Sequence, residues 1–297
     1  MTVSRISNLF LGIFLLVSSA VSAKEPIHDK LDKLFFEQVH NLESGTLEEK
    51  IQAADYLKFV KSKLAVRPLL NALKGNPKVP KSEENSPTLK FAVAQALGAM
   101  ESDIAAPGLM DEFKRISPLV QEMDIPSFSS PEGYNLTISV GEVLRSIGLL
   151  PYLKESEDTI VSGLSHPNFY VRASAADGLK NLNRKETLTQ LNAALDKEKN
   201  SFAKVAILNA IVSINRIANQ RFYDLCSFLK DESPMVRYRA SMAVGEVDLK
   251  AGEFSLREAL LVEHEPIVRE QIKKDLANVI GFKMPATSFM FTEQSGK

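Results

Sequence analysis

The sequence predicts an all-helical solenoid of about seven helical hairpins, and three observations point to this fold. Of the 297 residues 44% are hydrophobic, but only 7% are aromatic and none is tryptophan, so small side chains must fill the core. A pattern of apolar and small residues recurs about every 32 residues in the second half of the chain. Within each copy the apolar positions have the spacing of one helix face. A fixed period with helical spacing is typical of stacked repeats.

The chain begins with the layout of a secretory signal peptide, residues 1–23. Arg5 precedes the apolar run NLFLGIFLLV, and SSAVSA ends the run with small residues, so cleavage is expected after Ala23. The alternative, a membrane anchor, would need roughly 20 apolar residues, and the run is shorter. No later segment is apolar enough to span a membrane. We therefore expect a periplasmic or secreted protein without a membrane span.

Charge and cysteine content narrow the class of protein. The formal net charge is −1, which gives no electrostatic argument for a nucleic-acid partner. Cys226 is the only cysteine, so no intrachain disulfide can form. An exported protein without disulfides fits a bacterial periplasm better than a eukaryotic secretory route.

The repeats follow a predicted N-terminal capping helix. Residues 24–45 place their apolar side chains on one helix face, and residues 46–281 form the predicted solenoid. Four copies of the pattern begin at Val171, Ala203, Val236 and Val268, with separations of 32, 33 and 32 residues. Wider-spaced copies begin upstream at Glu49, Leu89 and Leu136. Polar, proline-containing stretches near 76–88 and 117–133 absorb the extra length, which favours loops on one side of the solenoid.

Each copy is expected to form a first helix, a turn and a second helix. In SPMVRYRASMAVGE, Val236, Ala240 and Ala243 share a face, while Pro234 suits the first helical position and Ser233 can cap it. A second amphipathic segment follows, for example TLTQLNAALDK. We expect the second helices to line the concave surface of the solenoid.

The copies SPMVRYRASMAVGEV, HPNFYVRASAADGL and EPIVREQIKKDL share a proline or turn residue, an apolar residue before arginine, and small residues at fixed offsets. This pattern resembles HEAT repeats, in the short bacterial form that is similar to the repeats of phycobilin lyases. The resemblance covers roughly Leu47 to Gly281. It implies a right-handed superhelix and a role as a scaffold or protein-binding module.

A basic residue follows the first position of each late copy. These residues are Arg172, Lys204, Arg237 and Arg269. We expect structural pairing with an acid or a turn carbonyl, with Asp231 and Glu263 as expected partners; a basic ladder for an anionic partner is the alternative. Arg239 has no counterpart in the other late copies, so its replacement by alanine is expected to leave thermal stability nearly unchanged.

No catalytic, cofactor or metal site is expected. The four histidines are His28, His40, His166 and His264, and only His264 precedes a glutamate. A di-iron site of the deoxyhypusine hydroxylase type, with four His-Glu pairs, is therefore excluded, and one cysteine cannot build a zinc site. The tetrapeptide VGEV occurs twice, around Glu142 and Glu246, and is interpreted as two polar positions late in a first helix.

The predicted function is non-enzymatic protein binding, as an exported scaffold or adaptor. Candidate partner-binding residues, chosen from the phase of the second helices, are Arg67, Asn71, Lys114, Gln190, Asn192 and Arg221. The partner would be a protein, and the oligomeric state is left open. The alternatives are a structural accessory of a flagellar or secretion apparatus, and a small-ligand handler or lyase-like enzyme. Residues 282–297 leave the repeat pattern and form a predicted C-terminal tail.

Overall fold

The computed structural model describes residues 27–75, 85–120, 135–247 and 250–281. These residues form α-helices and short 3-10 turns, and no strand occurs among them. The all-helical prediction is therefore confirmed. The predicted signal peptide, most of the two predicted loops and the predicted tail lie outside the described residues.

Fourteen α-helices are described, and they alternate as first and second helices of hairpins. Their bounds are α1 Ile27–Ser44, α2 Leu47–Val60, α3 Val66–Lys74, α4 Pro87–Ala99, α5 Ala105–Ile116, α6 Asn135–Leu149, α7 Lys154–Gly163, α8 Phe169–Leu182, α9 Leu188–Lys197, α10 Ser201–Asn215, α11 Gln220–Ser227, α12 Pro234–Val247, α13 Gly252–Val262 and α14 Pro266–Val279. Helices α2 to α13 form six hairpins, and α14 is the first helix of a seventh. The predicted solenoid of about seven units is confirmed, while its right-handed twist stays a prediction.

Local sequence explains where the helices begin. Thr46 and Glu49 form a capping box at the start of α2, and the side chains of Asn168 and Asn200 accept backbone N–H groups at the starts of α8 and α10. Proline occupies the first position of α4, α12 and α14, as the sequence predicts. Helix α1 packs on α2 and α3 at the N-terminal end.

The first helices form one continuous layer. Helices α2, α4, α6, α8, α10, α12 and α14 each pack along the next, whereas successive second helices touch little after α5. The backbones come closest between α6 and α8, where a Cβ added to Gly148 would lie 2.1 Å from the carbonyl oxygen of Gly178. Glycine and alanine on the first helices therefore allow the close approach in this layer.

The close layer lies on the inside of the curve. Arg239 of α12 reaches Asp177 of α8 at 2.8 Å, past the intervening helix α10, and Lys180 of α8 reaches Glu246 of α12 at 2.5 Å. Side chains two hairpins apart meet in this way only on a concave surface. The expectation that second helices line the concave surface is therefore wrong, because the small residues draw the first helices together and leave the second helices splayed.

Candidate functional site on the inner face

A ladder of polar side chains runs along the concave surface of the first helices. The sixth residue after the start of each of the first five copies is polar: Asp55, Gln95, Glu142, Asp177 and Asn209 in α2, α4, α6, α8 and α10. Equal offsets in stacked helices lie side by side, so the repeat itself aligns these groups. We call them, with the cations that bind them and with Glu246, the inner-face network.

At the N-terminal end the network passes from helix to helix by direct contacts. Lys58 Nζ lies 3.1 Å from Asp55 Oδ1 and donates a hydrogen bond of 3.0 Å to Gln95 Oε1. Gln95 is also hydrogen-bonded to Glu142. Glu142 Oε2 in turn accepts a bond of 3.4 Å from Arg145 Nη1.

The middle of the network is a cluster of two arginines, one aspartate and two aromatic rings, here called the central cluster. Arg145 donates from Nε to Asp177 Oδ2 at 3.0 Å and from Nη2 to the hydroxyl oxygen of Tyr170 at 3.3 Å. Arg239 Nη2 lies 2.8 Å from each oxygen of Asp177. The ring of Tyr170 stacks on Phe202 at 5.9 Å, and Arg239 covers the Phe202 ring at 4.5 Å. Five side chains from α6, α8, α10 and α12 thus converge.

The C-terminal end is anchored on Glu246. Its Oε2 accepts bonds from Lys180 Nζ at 2.5 Å and Asn209 Nδ2 at 3.0 Å. Ser213 Oγ donates to Asn209 Oδ1 at 3.1 Å. The two glutamates of the VGEV repeats, Glu142 and Glu246, thus lie in one network, although they stand one helical turn apart in the repeat register.

Electrostatics divide the acids of the network into two kinds. Burial raises the pKa of the Glu142 carboxyl, and this effect exceeds the opposing influence of Arg145. Burial also opposes ionisation of Asp177, but Arg239, Arg145 and Lys180 outweigh it and hold the pKa of Asp177 below its ordinary value. The neighbouring cations thus favour the ionised form of Asp177, whereas burial favours the protonated form of Glu142.

Arg239 is the member of the network with donor capacity to spare. Its Nη2 binds Asp177, but its Nε is buried and has no hydrogen-bond partner among the described residues. The side chain is 18% exposed at the concave surface. If a ligand carboxylate bound here and the Arg239 guanidinium rotated toward it, the carboxylate would accept hydrogen bonds from N–H groups that have no partner in the described structure.

The residues predicted to bind a partner lie away from this network, on the second helices. Arg67, Asn71 and Lys114 are exposed on α3 and α5, and Gln190, Asn192 and Arg221 are half-buried on α9 and α11. The structure brings two of them together, since Arg221 Nη2 donates to Asn192 Oδ1 at 3.4 Å. Their role in partner binding stays a prediction.

The repeated cations have local partners at the turns. Arg237 binds both carboxylate oxygens of Glu263, at 2.6 and 2.9 Å, and its Nη1 donates to the carbonyls of Asp231 and Glu232. Arg172 makes the same set of bonds to Glu198, His166 and Pro167. Arg269 donates from Nη1 to the carbonyls of Leu260 and Glu263. Lys204, half-buried on α10, has no charged partner among the contacts of the described residues.

A groove of about 1280 Å³ lies on the other side of the molecule, between α7 and α9. Its polar end holds His166, Arg172 and Glu198, which are already engaged. His166 Nδ1 accepts the backbone N–H of Asn168, and its Nε2 lies 3.1 Å from the carbonyl oxygen of Ser117. The side chains of His166, Arg172 and Glu198 are therefore held in place by hydrogen bonds to the surrounding turns and to one another.

In the part of the chain that the structure describes, no site for metal binding or for a reactive thiol is assembled. No group of three His, Cys, Asp or Glu residues there is arranged to hold a metal ion. Cys226 is buried, and burial raises the pKa of its thiol, which keeps it protonated. Among the same residues no helix is both long enough and apolar enough to cross a membrane.

Comparison with known proteins identifies the fold. No family model and no curated protein matches the chain. The complex of CpcE and CpcF of the phycocyanin lyase from Nostoc sp. PCC7120 contains a chain that matches with a TM-score of 0.56 and 16% identity, over 89% of this chain and 97% of that one. Human deoxyhypusine hydroxylase in complex with glycerol matches at 0.38 and 17%, over 88% and 93%, and an engineered protein at 0.35 and 15%, over 83% and 98%.

This comparison corrects the predicted function. The predictions of a non-enzymatic scaffold and of no enzymatic activity are wrong, because they took the repeat architecture as a sign of binding alone. The matching structure at TM-score 0.56 is that of a lyase, so this architecture also serves enzymes. At 16% identity the likeness concerns the fold. The chain has the HEAT-like helical-repeat fold that its sequence predicts.

Proposed function

We propose that this protein is a lyase-like enzyme that holds a carboxylate-bearing organic molecule on its inner face. The observation that carries the proposal is the juxtaposition of Glu142, Arg145 and Tyr170 with Arg239 on one half-buried concave surface. Concave sites with few polar groups and a perturbed acid are where ligands bind and react. The fold likeness to a phycocyanin lyase supports the same class of function.

Each group has a chemical role in this proposal. The donors of Arg239 bind a carboxylate of the ligand, and Arg145 positions the hydroxyl of Tyr170 beside it. Glu142, whose pKa is raised by burial, accepts a proton from a ligand carbon. The electron pair of the broken C–H bond then forms a double bond, and the leaving group departs with the pair of its own bond. The reverse sequence is an addition.

The proposal includes a protein partner and export. The matching lyase chain was solved in a complex of two proteins, which supports a partner for this chain as well. The layout of residues 1–23 supports processing and a periplasmic or secreted location. Cell fractionation tests the location: we expect a form shortened by these residues outside the cytoplasm, and a full-length cytoplasmic form would refute it.

The binding experiment uses the protein without residues 1–23 and an open-chain tetrapyrrole that carries carboxylates. Absorbance titration is expected to give a one-to-one complex that R239Q weakens by more than about tenfold, the equivalent of one lost charged hydrogen bond. R67Q, on an exposed second helix, is the matched control and should bind normally. Absent binding, or equal losses in both variants, would contradict the site.

A second experiment tests proton transfer separately from binding. In D2O the enzyme is expected to place deuterium on the ligand carbon that Glu142 deprotonates, which mass spectrometry detects. E142Q should still bind the tetrapyrrole but lose this exchange. Exchange that persists at the same rate in E142Q would remove Glu142 from the mechanism.

A further inference from the structure

The two edges of the solenoid carry opposite charge. One edge consists of the turns that join first to second helices, residues 61–65, 100–104, 150–153, 183–187, 216–219 and 250–251. Its charged residues are Lys61, Lys63, Arg184, Lys185, Arg216 and Lys250 against Glu101, Asp103 and Glu186. We call this the basic edge.

The opposite edge consists of the turns that join one hairpin to the next. In its described residues from 164 onward the charged side chains, apart from histidine, are Lys199 and Lys230 against Glu198, Asp231, Glu232, Glu263 and Glu265. Of these acids, Glu198 and Glu263 are buried and paired with Arg172 and Arg237. We call this the acidic edge. Because first and second helices alternate regularly, the two sets of turns lie on opposite sides of the molecule. A nearly neutral chain is thus charged asymmetrically from side to side.

The basic edge also presents large apolar side chains to solvent in four of its six turns. Leu64 is 72% exposed, Ile104 60% and Ile217 59%, with Tyr152 exposed in the turn between α6 and α7. Phe59, in the last turn of α2 and two residues before Lys61, is 79% exposed. These side chains stand in separate hairpins instead of forming one broad patch, and basic residues flank Leu64 and Ile217, the outermost of those in the turns. Exposed apolar side chains beside basic residues suit an anionic membrane interface, where apolar groups enter the headgroup boundary and lysine and arginine are attracted to anionic lipid.

We propose that the basic edge lies on an anionic lipid surface. Phe59 and Leu64 enter the boundary between headgroups and acyl chains, while Lys61 and Lys63 bind the lipid phosphates. The carboxylates of Asp231, Glu232 and Glu265 on the opposite edge are repelled by the same surface, which favours this orientation of the molecule. This contact is peripheral and requires no spanning helix. It uses residues apart from the inner-face network, so it stands independently of the proposed enzymatic function.

The absence of tryptophan from the chain provides a clean probe of this contact. The protein without residues 1–23 is used, so that the leading apolar run does not itself bind lipid. L64W places the only indole on the basic edge, and L261W places it beside the acidic edge, where Leu261 is 82% exposed. With vesicles of phosphatidylcholine and phosphatidylglycerol we expect a blue shift of emission for L64W alone. Absence of the shift, or an equal shift in L261W, overturns the proposal.

Vesicle sedimentation gives a second measurement. Substituting both lysines, as K61E and K63E together, is expected to lower partitioning onto the anionic vesicles by more than about tenfold, since each basic residue contributes appreciably near such a surface. Vesicles of phosphatidylcholine alone should bind weakly, and 1 M salt should release the protein. If binding is unchanged by the substitutions and by salt, the edge does not recognise anionic lipid and the proposal fails.

Discussion

The bonds of Arg237 to the next hairpin allow the loss of folding stability in R237A to be predicted quantitatively. The guanidinium binds Glu263 through two hydrogen bonds and two turn carbonyls through a third nitrogen, and the Glu263 side chain is only 3% exposed. Replacing Arg237 with alanine leaves that carboxylate buried with two backbone N–H donors, from His264 and Glu265. The hairpin turn then holds an uncompensated charge.

The expected cost follows from the burial of the pair. Removing one partner from a fully buried ion pair costs about 3–5 kcal/mol. Arg237 is 19% exposed, so solvent screens part of this loss, and we expect about 2–3 kcal/mol. For a chain of this size that corresponds to a fall in Tm of roughly 5–10 °C. Thermal denaturation followed by circular dichroism measures it.

The control is a pair of the same chemistry on the surface. Arg257, whose side chain is 56% exposed, binds Glu253 four residues away, and R257A should change stability by less than about 0.5 kcal/mol. In a double-mutant cycle, R237A and E263Q should couple by more than about 1 kcal/mol. Additive effects, or equal losses in R237A and R257A, would refute the assignment of Arg237 to the inter-hairpin contact.

Three further predictions concern the core and the inner face. R239A should also lower stability, by about 1–2 kcal/mol, because it leaves Asp177 with one fewer cation; an unchanged Tm would favour the expectation drawn from sequence. G178A should cost about 2–3 kcal/mol, since its Cβ would lie 2.6 Å from the carbonyl oxygen of Leu144, and a loss below about 0.5 kcal/mol in urea denaturation would contradict that packing. Burial raises the pKa of Asp275, so its ionisation destabilises the fold as pH rises, and D275N should be more stable than the native protein at pH 7. That advantage should shrink as pH falls below about 4, where Asp275 is protonated in both states, and a pH-independent difference would refute it. For Asp177, whose pKa is lowered, the pH dependence is reversed. Its ionised form contributes fully to the free energy of unfolding above about pH 4, and this contribution is lost as pH falls through the pKa of Asp177 in the folded protein.

The fold follows from the sequence because its signal is repeated. Val171, Val236 and Val268 mark the same position in three hairpins, and each is buried against the neighbouring first helix. A periodic pattern of apolar residues determines which helices stack, since each hairpin can bury its face only against the next.

The inner-face network could not be predicted from the sequence, although part of its pattern is visible there. Polar residues at the sixth offset, from Asp55 to Asn209, recur in the first five copies. Their meaning depends on which layer lies inside the curve, and that is decided by the backbone approach of Gly148 to Gly178. Arg239 meets Asp177 over 62 residues of chain, a contact that no local pattern encodes.

The pairing of the repeated arginines shows the same limit. Asp231 stands close before Arg237 in sequence, so its carboxylate was the expected partner, but only its backbone carbonyl is used. Stacking brings the turn of the following hairpin, with Glu263, beside the guanidinium. The residue type was predictable, whereas the partner depends on how adjacent hairpins dock.

The contacts that pass over α10 give this solenoid a mechanical property. In most repeat proteins each unit touches only its neighbours, so the array can extend by small movements at each interface independently. Here the ion pairs Asp177–Arg239 and Lys180–Glu246 join α8 to α12 across the intervening helix α10. A force applied to the two ends of the chain must break these ion pairs before α8, α10 and α12 can separate. The three hairpins from α8 to α13 should therefore resist extension and unfold as one stiff segment, after the softer hairpins that precede α8.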